Sequence, residues 1–166
     1  TGSSVASTAL LQYEIDVPLC RMAEMMPESD AVEAYRACLE SIATLSKLLK
    51  GAGVEAGFRG VPSVYYASNK KGWDLIREEY AIRRKHELPG GILDRKQVHR
   101  TMGIKAPGAL MNHVSGHVDA YAASTGLLKH NIETRGLSLF THTEIVKWEQ
   151  GKKGYTLKAA NGSRIR

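Results

Sequence analysis

Apolar residues recur at helical spacing through the first third of the chain. Between residues 30 and 50 they lie three or four positions apart, which predicts the longest helix of the protein. Asp30 and Glu33 match a capping box at its start, and Gly51 follows its end. A shorter helix is predicted from Pro18 to Met26. The apolar positions of the long helix are Val32, Tyr35, Leu39, Ile42, Leu45 and Leu49.

The middle of the chain alternates between strand and helix patterns. Short runs rich in Val, Tyr and Phe predict strands at 56–59 and 63–68. A helix is predicted from Asn69 onward, and a second, capped helix from Asp94 to near Gly103. A further strand, with a glycine break, is predicted over 108–118.

The last third predicts a helix followed by a meander of strands. Asp119 is the expected N-cap of a helix that ends at Gly136, and the apolar run 137–140 predicts a strand after it. Alternation from Glu144 onward and the dipeptide Asn161-Gly162 predict antiparallel hairpins. The fold class is therefore α+β, with several helices packed on short mixed or antiparallel strands. The expected inner face of the last helix comprises Tyr121, Thr125, Leu128 and Ile132.

Composition places the chain among soluble globular proteins. It has 166 residues, of which 43% are hydrophobic and 24% charged. No apolar run approaches the roughly 20 residues of a membrane span, and no secretory signal opens the chain, so a cytoplasmic protein is expected. Cys20 and Cys38 match neither a CxxC nor a zinc spacing and are predicted to be buried, reduced thiols.

The net charge of +6 does not by itself identify a partner. Much of it lies in 82–87 and 94–100, where acidic residues are interspersed, so a solvated helical face is the preferred interpretation. No nucleic-acid-binding motif accompanies these segments, and no nucleic-acid partner is expected. A non-enzymatic α+β binding module, with the basic helices 69–102 as its contact surface for an acidic partner, stays open as an alternative.

One cluster of residues could suggest a metal site or a catalytic site. His113, His117 and Asp119 lie within seven residues and supply the atoms that zinc prefers. Ser115-Gly116 places the histidines on a strand and turn, however, and Asp119 already has a role as a helix cap. We therefore expect no metal site here, and no nucleophile-elbow sequence supports a hydrolase.

Three stretches resemble the middle of a bacterial FAD-dependent oxidoreductase of the D-amino-acid oxidase and glycine oxidase superfamily. They are TGSSVASTALLQYEID (1–16), GVPSVYYAS (60–68) and PGALMNHVSGHVDAYAASTGLLKHNIETRGLSLFTHTEIVKWE (107–149). The resemblance implies FAD as the cofactor and a small-molecule amine or amino acid as the substrate. It implies that the substrate C–N bond is oxidised by hydride transfer to the flavin.

The resemblance also suggests residues for the cofactor site. Segment 1–16 would run past the pyrophosphate and ribityl chain of FAD, and its small hydroxyl residues would let backbone N–H groups approach phosphate oxygens. Ile145 takes the position where the family presents backbone to the adenine, with its side chain in the core. The expected cofactor contacts are Ser3, Ser4, Ser7, Thr8 and Ile145.

Three residues near the predicted strands are candidates for substrate binding. Tyr65 and Tyr66 would point to opposite faces of a strand, so that one packs in the core and the other lines a substrate cavity. Arg59 could hold a substrate carboxylate, because a guanidinium binds carboxylates through two parallel hydrogen bonds. The sequence does not identify a catalytic base.

The departures from the family pattern suggest that the chain is an internal segment. The family's GxGxxG turn is absent, and Ala120 stands where proline is usual. The expected parts are a helical segment (1–55), a substrate-domain portion (56–118) and a helix plus meander that returns to the FAD domain (119–166). Such a segment is expected to be inactive alone, not to retain FAD, and to form a homodimer through apolar surface on the last helix.

Overall fold

The computed structural model describes residues 3–151 and 154–165. The chain divides into two compact units, Thr1–Leu127 and Leu128–Arg166. Within the described residues, five α-helices and two antiparallel sheets define an α+β fold. No helix in these ranges is both long and apolar enough to cross a membrane.

The sheet of the first unit is organised around one central strand. Strand β4 (Gly108–His117) pairs along one edge with β2 (Arg59–Tyr66), and along its other edge with β1 (Leu10–Leu11) and β3 (Gly91–Asp94). All of these pairings are antiparallel. β4 is buried over most of its length, because strands flank both of its edges and helices pack on the sheet.

Four helices and the first half of a fifth complete this unit. The long helix predicted near residue 30 is confirmed as the longest helix described. A core of Tyr13, Leu19, Val32 and Tyr35 forms between the first two helices and the sheet. The helices are α1 (Leu19–Met25), α2 (Glu28–Gly51), α3 (Lys70–Lys85), α4 (Arg95–Met102) and α5 (Ala120–Arg135).

Three helices begin with a side-chain cap, and the caps predicted at Asp94 and Asp119 are confirmed. Asn69 accepts a hydrogen bond from the Gly72 N–H at 2.8 Å, and Asp119 accepts one from the Ala122 N–H at 2.8 Å. Asp94 forms a complete capping box at the start of α4. These side chains satisfy backbone N–H groups that the first turn of a helix leaves without a helical partner.

The capping box predicted at Asp30 is wrong. Pro27 is the N-cap of α2, and no side chain caps this end of the helix. Glu28 and Asp30 lie inside the first turn instead, where their negative charges favour the positive end of the helix dipole.

The predicted strands need three corrections. The two runs at 56–59 and 63–68 are replaced by the single strand β2, with a register irregularity between Val61 and Ser63. Residues 137–140 are not in a strand. β1 and β3, which hold two and four residues, had not been predicted, because they are defined by long-range pairing with β4.

The large apolar side chains predicted on one face of α5 are partly exposed, in keeping with the apolar surface expected on this helix. Ala123 is the buried residue of the helix, and the Tyr121, Leu128 and Ile132 side chains are 39% to 46% exposed. Gly126 lets Val54 approach closely: a Cβ built on Gly126 would lie 2.4 Å from the Val54 Cγ1 atom. The contact between α5 and Val54 therefore depends on small residues of the helix. The homodimer expected through Tyr121, Leu128 and Ile132 stays a prediction.

The second unit contains the C-terminal half of α5 and a three-stranded sheet in the order β5 (Ile145–Gly151), β6 (Gly154–Ala159) and β7 (Arg164–Ile165). Asn161-Gly162 forms the predicted hairpin turn between the last two strands, with Gly162 at a φ of +86°. Ile145 is 41% exposed, so its predicted core position is wrong. It lies on an edge strand that is exposed throughout its length.

Candidate functional site

The N-terminal segment lies against the junction of β4 and α5. β1 pairs Leu10 with His117, and the Val118 N–H donates to the Ala9 carbonyl at 3.2 Å. The Asp119 N–H donates to the Ala56 carbonyl at 2.8 Å. These backbone bonds hold residues 3–9 beside the end of β4 and the first turn of α5.

A cavity of about 590 Å³ opens between these segments, and we call it the N-terminal cavity. One wall is the start of α5, where first-turn N–H groups point out of the helix. The opposite wall carries small hydroxyl side chains, and the Ser7 hydroxyl accepts a hydrogen bond from the Ala9 N–H at 3.0 Å. A helix start facing hydroxyl groups suits a ligand that carries phosphate or hydroxyl oxygens. The lining includes Ser4, Ser7, Thr8, His117, Asp119 and Tyr121.

The structure brings together part of the predicted cofactor set. Ser4, Ser7 and Thr8 line the N-terminal cavity, whereas Ser3 begins the adjoining 3-10 helix Ser3–Ala6 and is not among its lining residues. Ile145 belongs to the second unit.

The histidine cluster is also divided by the fold. His117 and Asp119 line the N-terminal cavity, while His113 is exposed and lines a different one. Across residues 3–151 and 154–165, no group of three or more His, Cys, Asp or Glu side chains is arranged to hold a metal ion. Cys20 and Cys38 are free cysteines. Both are half-buried, so the prediction that they are buried is wrong.

The three predicted substrate residues all lie on β2. Arg59 is exposed and pairs in register with His117, which places it next to the N-terminal cavity. Tyr65 and Tyr66 occupy consecutive strand positions and so point to opposite faces. The prediction that one of the two tyrosines packs in the core is wrong. Both lie on an edge strand of the sheet, and their exposed fractions are 45% and 53%.

Tyr65 lines a second cavity, of about 290 Å³, which we call the acidic cavity. It lies within the first unit, and none of its lining residues is shared with the N-terminal cavity. Two carboxylates and one guanidinium are the charged groups of its wall. The lining includes Glu14, Ile15, Asp16, Ser63, Tyr65 and Arg83.

A buried ion network lies behind the acidic cavity. The side chains of Arg83 and Glu79 are 3% and 0% exposed, and two guanidinium nitrogens contact the Glu79 Oε1 atom, each at 2.7 Å. The third nitrogen, Nη1, donates to the Glu14 Oε1 atom at 3.0 Å and to the Tyr13 hydroxyl at 2.9 Å. The guanidinium also lies 5.2 Å from the ring centre of Tyr13 and 5.5 Å from that of Tyr35, within cation–π range.

The two carboxylates of the network differ in how their oxygens are satisfied. The Glu79 Oε2 atom accepts a hydrogen bond from the Cys20 N–H at 2.8 Å, which caps the start of α1. The Glu14 Oε1 atom accepts a second hydrogen bond, from the Asn112 amide at 2.5 Å. The Glu14 Oε2 atom is buried and has no hydrogen-bond partner in the structure.

Burial and neighbouring charges shift the pKa values of Arg83, Tyr13 and Cys20. Burial disfavours the charged form of Arg83, but Glu79, Tyr13 and Glu14 together outweigh it and raise the pKa of the guanidinium, which stays charged. Burial raises the pKa of Tyr13. Burial, with a smaller contribution from Glu79, raises the pKa of the Cys20 thiol to about 12. Cys20 is therefore a neutral, unreactive thiol at neutral pH.

This network was not predicted from the sequence. Residues 82–87 were expected to form a solvated basic face, and the burial of Arg83 contradicts this for one residue of the segment. The available signal was the i, i+4 spacing of Glu79 and Arg83 on a helix, which places the two side chains on the same face. Glu14 lies 69 residues from Arg83, and no local pattern connects them.

Comparison with known proteins identifies the family. The chain belongs to the FAD dependent oxidoreductase family, whose model matches residues 1–166. No curated protein matches it at a significant level.

Solved structures share the fold at low sequence identity. Glycine oxidase from Geobacillus kaustophilus is 18% identical with a TM-score of 0.70, over 98% of this chain and 42% of that one. L-Proline dehydrogenase from P. horikoshii is 14% identical with a TM-score of 0.72, over 100% of this chain and 41% of that one. L-Amino acid deaminase from Proteus myxofaciens, solved with anthranilate, is 15% identical with a TM-score of 0.71, over 98% of this chain and 35% of that one. The chain thus spans about two fifths of the length of these proteins.

Proposed function

We propose that this chain forms part of a FAD-dependent enzyme that oxidises the C–N bond of an amine or an amino acid. Family membership supports the cofactor, and the similar structures include enzymes named for glycine, proline and L-amino acids. L-α-Glycerophosphate oxidase from Mycoplasma pneumoniae with FAD bound has a similar fold too, with a TM-score of 0.66 at 13% identity over 97% of this chain. The fold alone therefore does not select the substrate.

The N-terminal cavity is the observation that carries the proposal. Its hydroxyl-bearing wall and the start of α5 match the chemistry of a phosphate-containing cofactor, and its volume of about 590 Å³ suits part of one. In this proposal Ser4, Ser7 and Thr8 contact FAD, and Ser3 adjoins them. When bound, FAD supplies the hydride acceptor for oxidation of the C–N bond.

The substrate side of the proposal rests on β2. Arg59 neighbours His117 of the N-terminal cavity and is free to offer its guanidinium to a substrate carboxylate. Tyr65 lines the acidic cavity, and Tyr66 is exposed on the other face of the strand. The alternative is a binding module that uses the basic helices. It is less favoured because Arg83, one of the basic residues of those helices, is buried and paired with the Glu79 carboxylate.

Flavin binding tests the cofactor assignment. We expect the complete enzyme that contains this chain to bind FAD, seen as absorbance at about 450 nm and as quenched flavin fluorescence, and this chain alone not to retain it. Thr8→Val should weaken FAD binding, whereas Thr134→Val, which removes an exposed hydroxyl from the α5 surface, should not. Anaerobic bleaching of the flavin by amines or amino acids, but not by the corresponding alcohols, would support C–N oxidation. A complete enzyme that binds no flavin would exclude the proposal.

A further inference from the structure

We propose that Ala9 is a positioning residue of the cofactor site, and that its left-handed backbone conformation turns the hydroxyl-bearing segment 3–8 toward bound FAD. The inference rests on the proposed function, in which Ser7 and Thr8 of that segment contact the cofactor. It adds the residue whose backbone sets where those hydroxyl groups lie.

The backbone conformation of Ala9 is the first argument. Its φ is +56°, in a region that is unfavourable for residues with a Cβ atom and that glycine adopts freely. Such strained conformations persist where the surrounding structure enforces them, and they cluster at ligand-binding and active sites. Ala9 lies in the wall of the N-terminal cavity, between the 3-10 helix Ser3–Ala6 and β1. The strain therefore occurs at the turn that separates the hydroxyl-bearing segment from the sheet.

Contacts on both sides of Ala9 hold it in this conformation. The Ala9 carbonyl accepts a hydrogen bond from the Val118 N–H at 3.2 Å, which ties the turn to the junction of β4 and α5. The Ala9 N–H donates to the Ser7 Oγ atom at 3.0 Å. The Ala9 side chain is half-buried and packs against a core cluster that includes Leu49 and Val118. The peptide groups on either side of Ala9 therefore have fixed partners.

The bond to Ser7 has a consequence for the cavity. A hydroxyl group has one O–H donor and two acceptor positions, and the Ala9 N–H occupies one of the acceptor positions. In the described part of the chain, the Ser7 O–H group donates to no protein atom. Because Ser7 lines the N-terminal cavity, its hydrogen is free to be donated to a cofactor oxygen there. The turn at Ala9 thus presents Ser7 as a hydrogen-bond donor.

FAD titration of the complete enzyme that contains this chain tests the inference, after removal of bound flavin, by quenching of flavin fluorescence. Valine is β-branched and strongly disfavours the left-handed region, so Ala9→Val should bind FAD about tenfold more weakly, because a smaller fraction of the protein has the competent turn. Glycine adopts this region freely, so Ala9→Gly should bind FAD within about twofold of the wild type.

Glu87→Val is the matched control. Glu87 is exposed, has a φ of +57° and follows α3, and it is not among the residues that line the N-terminal cavity. Valine there introduces the same backbone strain at another place. It should lower the midpoint of thermal unfolding and leave the dissociation constant of FAD unchanged.

Three results would overturn the inference. They are equal FAD binding by Ala9→Val and the wild type, weakening by Ala9→Gly as strong as that by Ala9→Val, and equal weakening by Glu87→Val. If Ala9→Val fails to fold, Ser7→Ala takes its place, because Ser7 is exposed and its variant should fold. Ser7→Ala should bind FAD several-fold more weakly, and unchanged binding would refute the inference.

The same titration separates the inference from the proposed function. A wild-type enzyme that binds no FAD would contradict both. FAD binding by the wild type that neither Ala9→Val nor Ser7→Ala weakens would contradict the inference alone.

Discussion

Replacing Arg83 with methionine should strongly destabilise the first unit. The substitution keeps most of the side-chain volume but removes the charge from a side chain that is 3% exposed. Glu79, which is 0% exposed, then loses the guanidinium that contacts it, and the Tyr13 hydroxyl and Glu14 each lose a hydrogen bond. Removing one partner of a buried ion pair leaves an uncompensated buried charge. This typically lowers the free energy of unfolding by about 3–5 kcal/mol.

That loss would be a large share of the total stability. Domains of this kind unfold with a free energy of about 5–15 kcal/mol, and urea lowers this value by about 1–3 kcal/mol per molar. Arg83→Met should therefore lower the midpoint of urea unfolding, followed by far-UV circular dichroism, by about 1–5 M.

Arg77→Met on the same helix is the matched control. Arg77 contacts Asp74 at 2.6 Å, but both side chains are largely exposed. Exposed pairs of this kind contribute about 0–1 kcal/mol, so the urea midpoint of this variant should remain close to that of the wild type. Similar midpoints for Arg83→Met and Arg77→Met would refute the assignment of Arg83 as a buried, structurally required charge.

Two further variants test packing and electrostatics. Gly108→Ala should cost about 1–3 kcal/mol in thermal unfolding, because a Cβ there would lie 2.2–2.5 Å from the Trp73 ring, whereas Gly60→Ala, with open space around it, should not. Hydrogen bonds, first from Lys85, lower the pKa of Glu28, so this carboxylate stabilises the fold above the ordinary glutamate pKa and loses that contribution as the pH falls through its folded value. Glu28→Gln should make stability fall less steeply between about pH 5 and pH 3, and an unchanged slope would contradict this.

The helices could be predicted from the sequence because their signals are local. Asn69, Asp94 and Asp119 each cap a helix three residues before the N–H group that they accept from. Such a contact needs no knowledge of the rest of the fold. The prediction at Asp30 failed because Pro27 is the N-cap, three residues earlier than the predicted polar cap.

The short strands could not be predicted in the same way. β1 has two residues and becomes a strand only by pairing Leu10 and Leu11 with the end of β4, more than 100 positions away. Alternation over two residues carries no information about period. The same pairing places Ser7 and Thr8 at the N-terminal cavity, so the resemblance to a family supplied what the local pattern did not.

The acidic cavity shows the same limit for charged residues. A charged residue in a helix is most often exposed, and the segment around Arg83 alternates acidic and basic residues as solvated helices do. Its burial depends on Tyr13, Glu14 and Tyr35, which approach it from other elements of the first unit. Sequence reasoning that treats each element separately assigns such a residue to the surface.

The two cavities adjoin different parts of one strand, which makes their independence testable. His117 of β4 lines the N-terminal cavity, and Asn112, five positions earlier, binds the Glu14 carboxylate of the acidic cavity. Five strand residues span roughly 16 Å, beyond the distance at which substitutions usually couple. Thr8→Val should therefore weaken FAD binding to the complete enzyme by the same factor with or without Glu14→Gln. A factor that changes by more than about twofold between the two backgrounds would show that the two cavities are coupled.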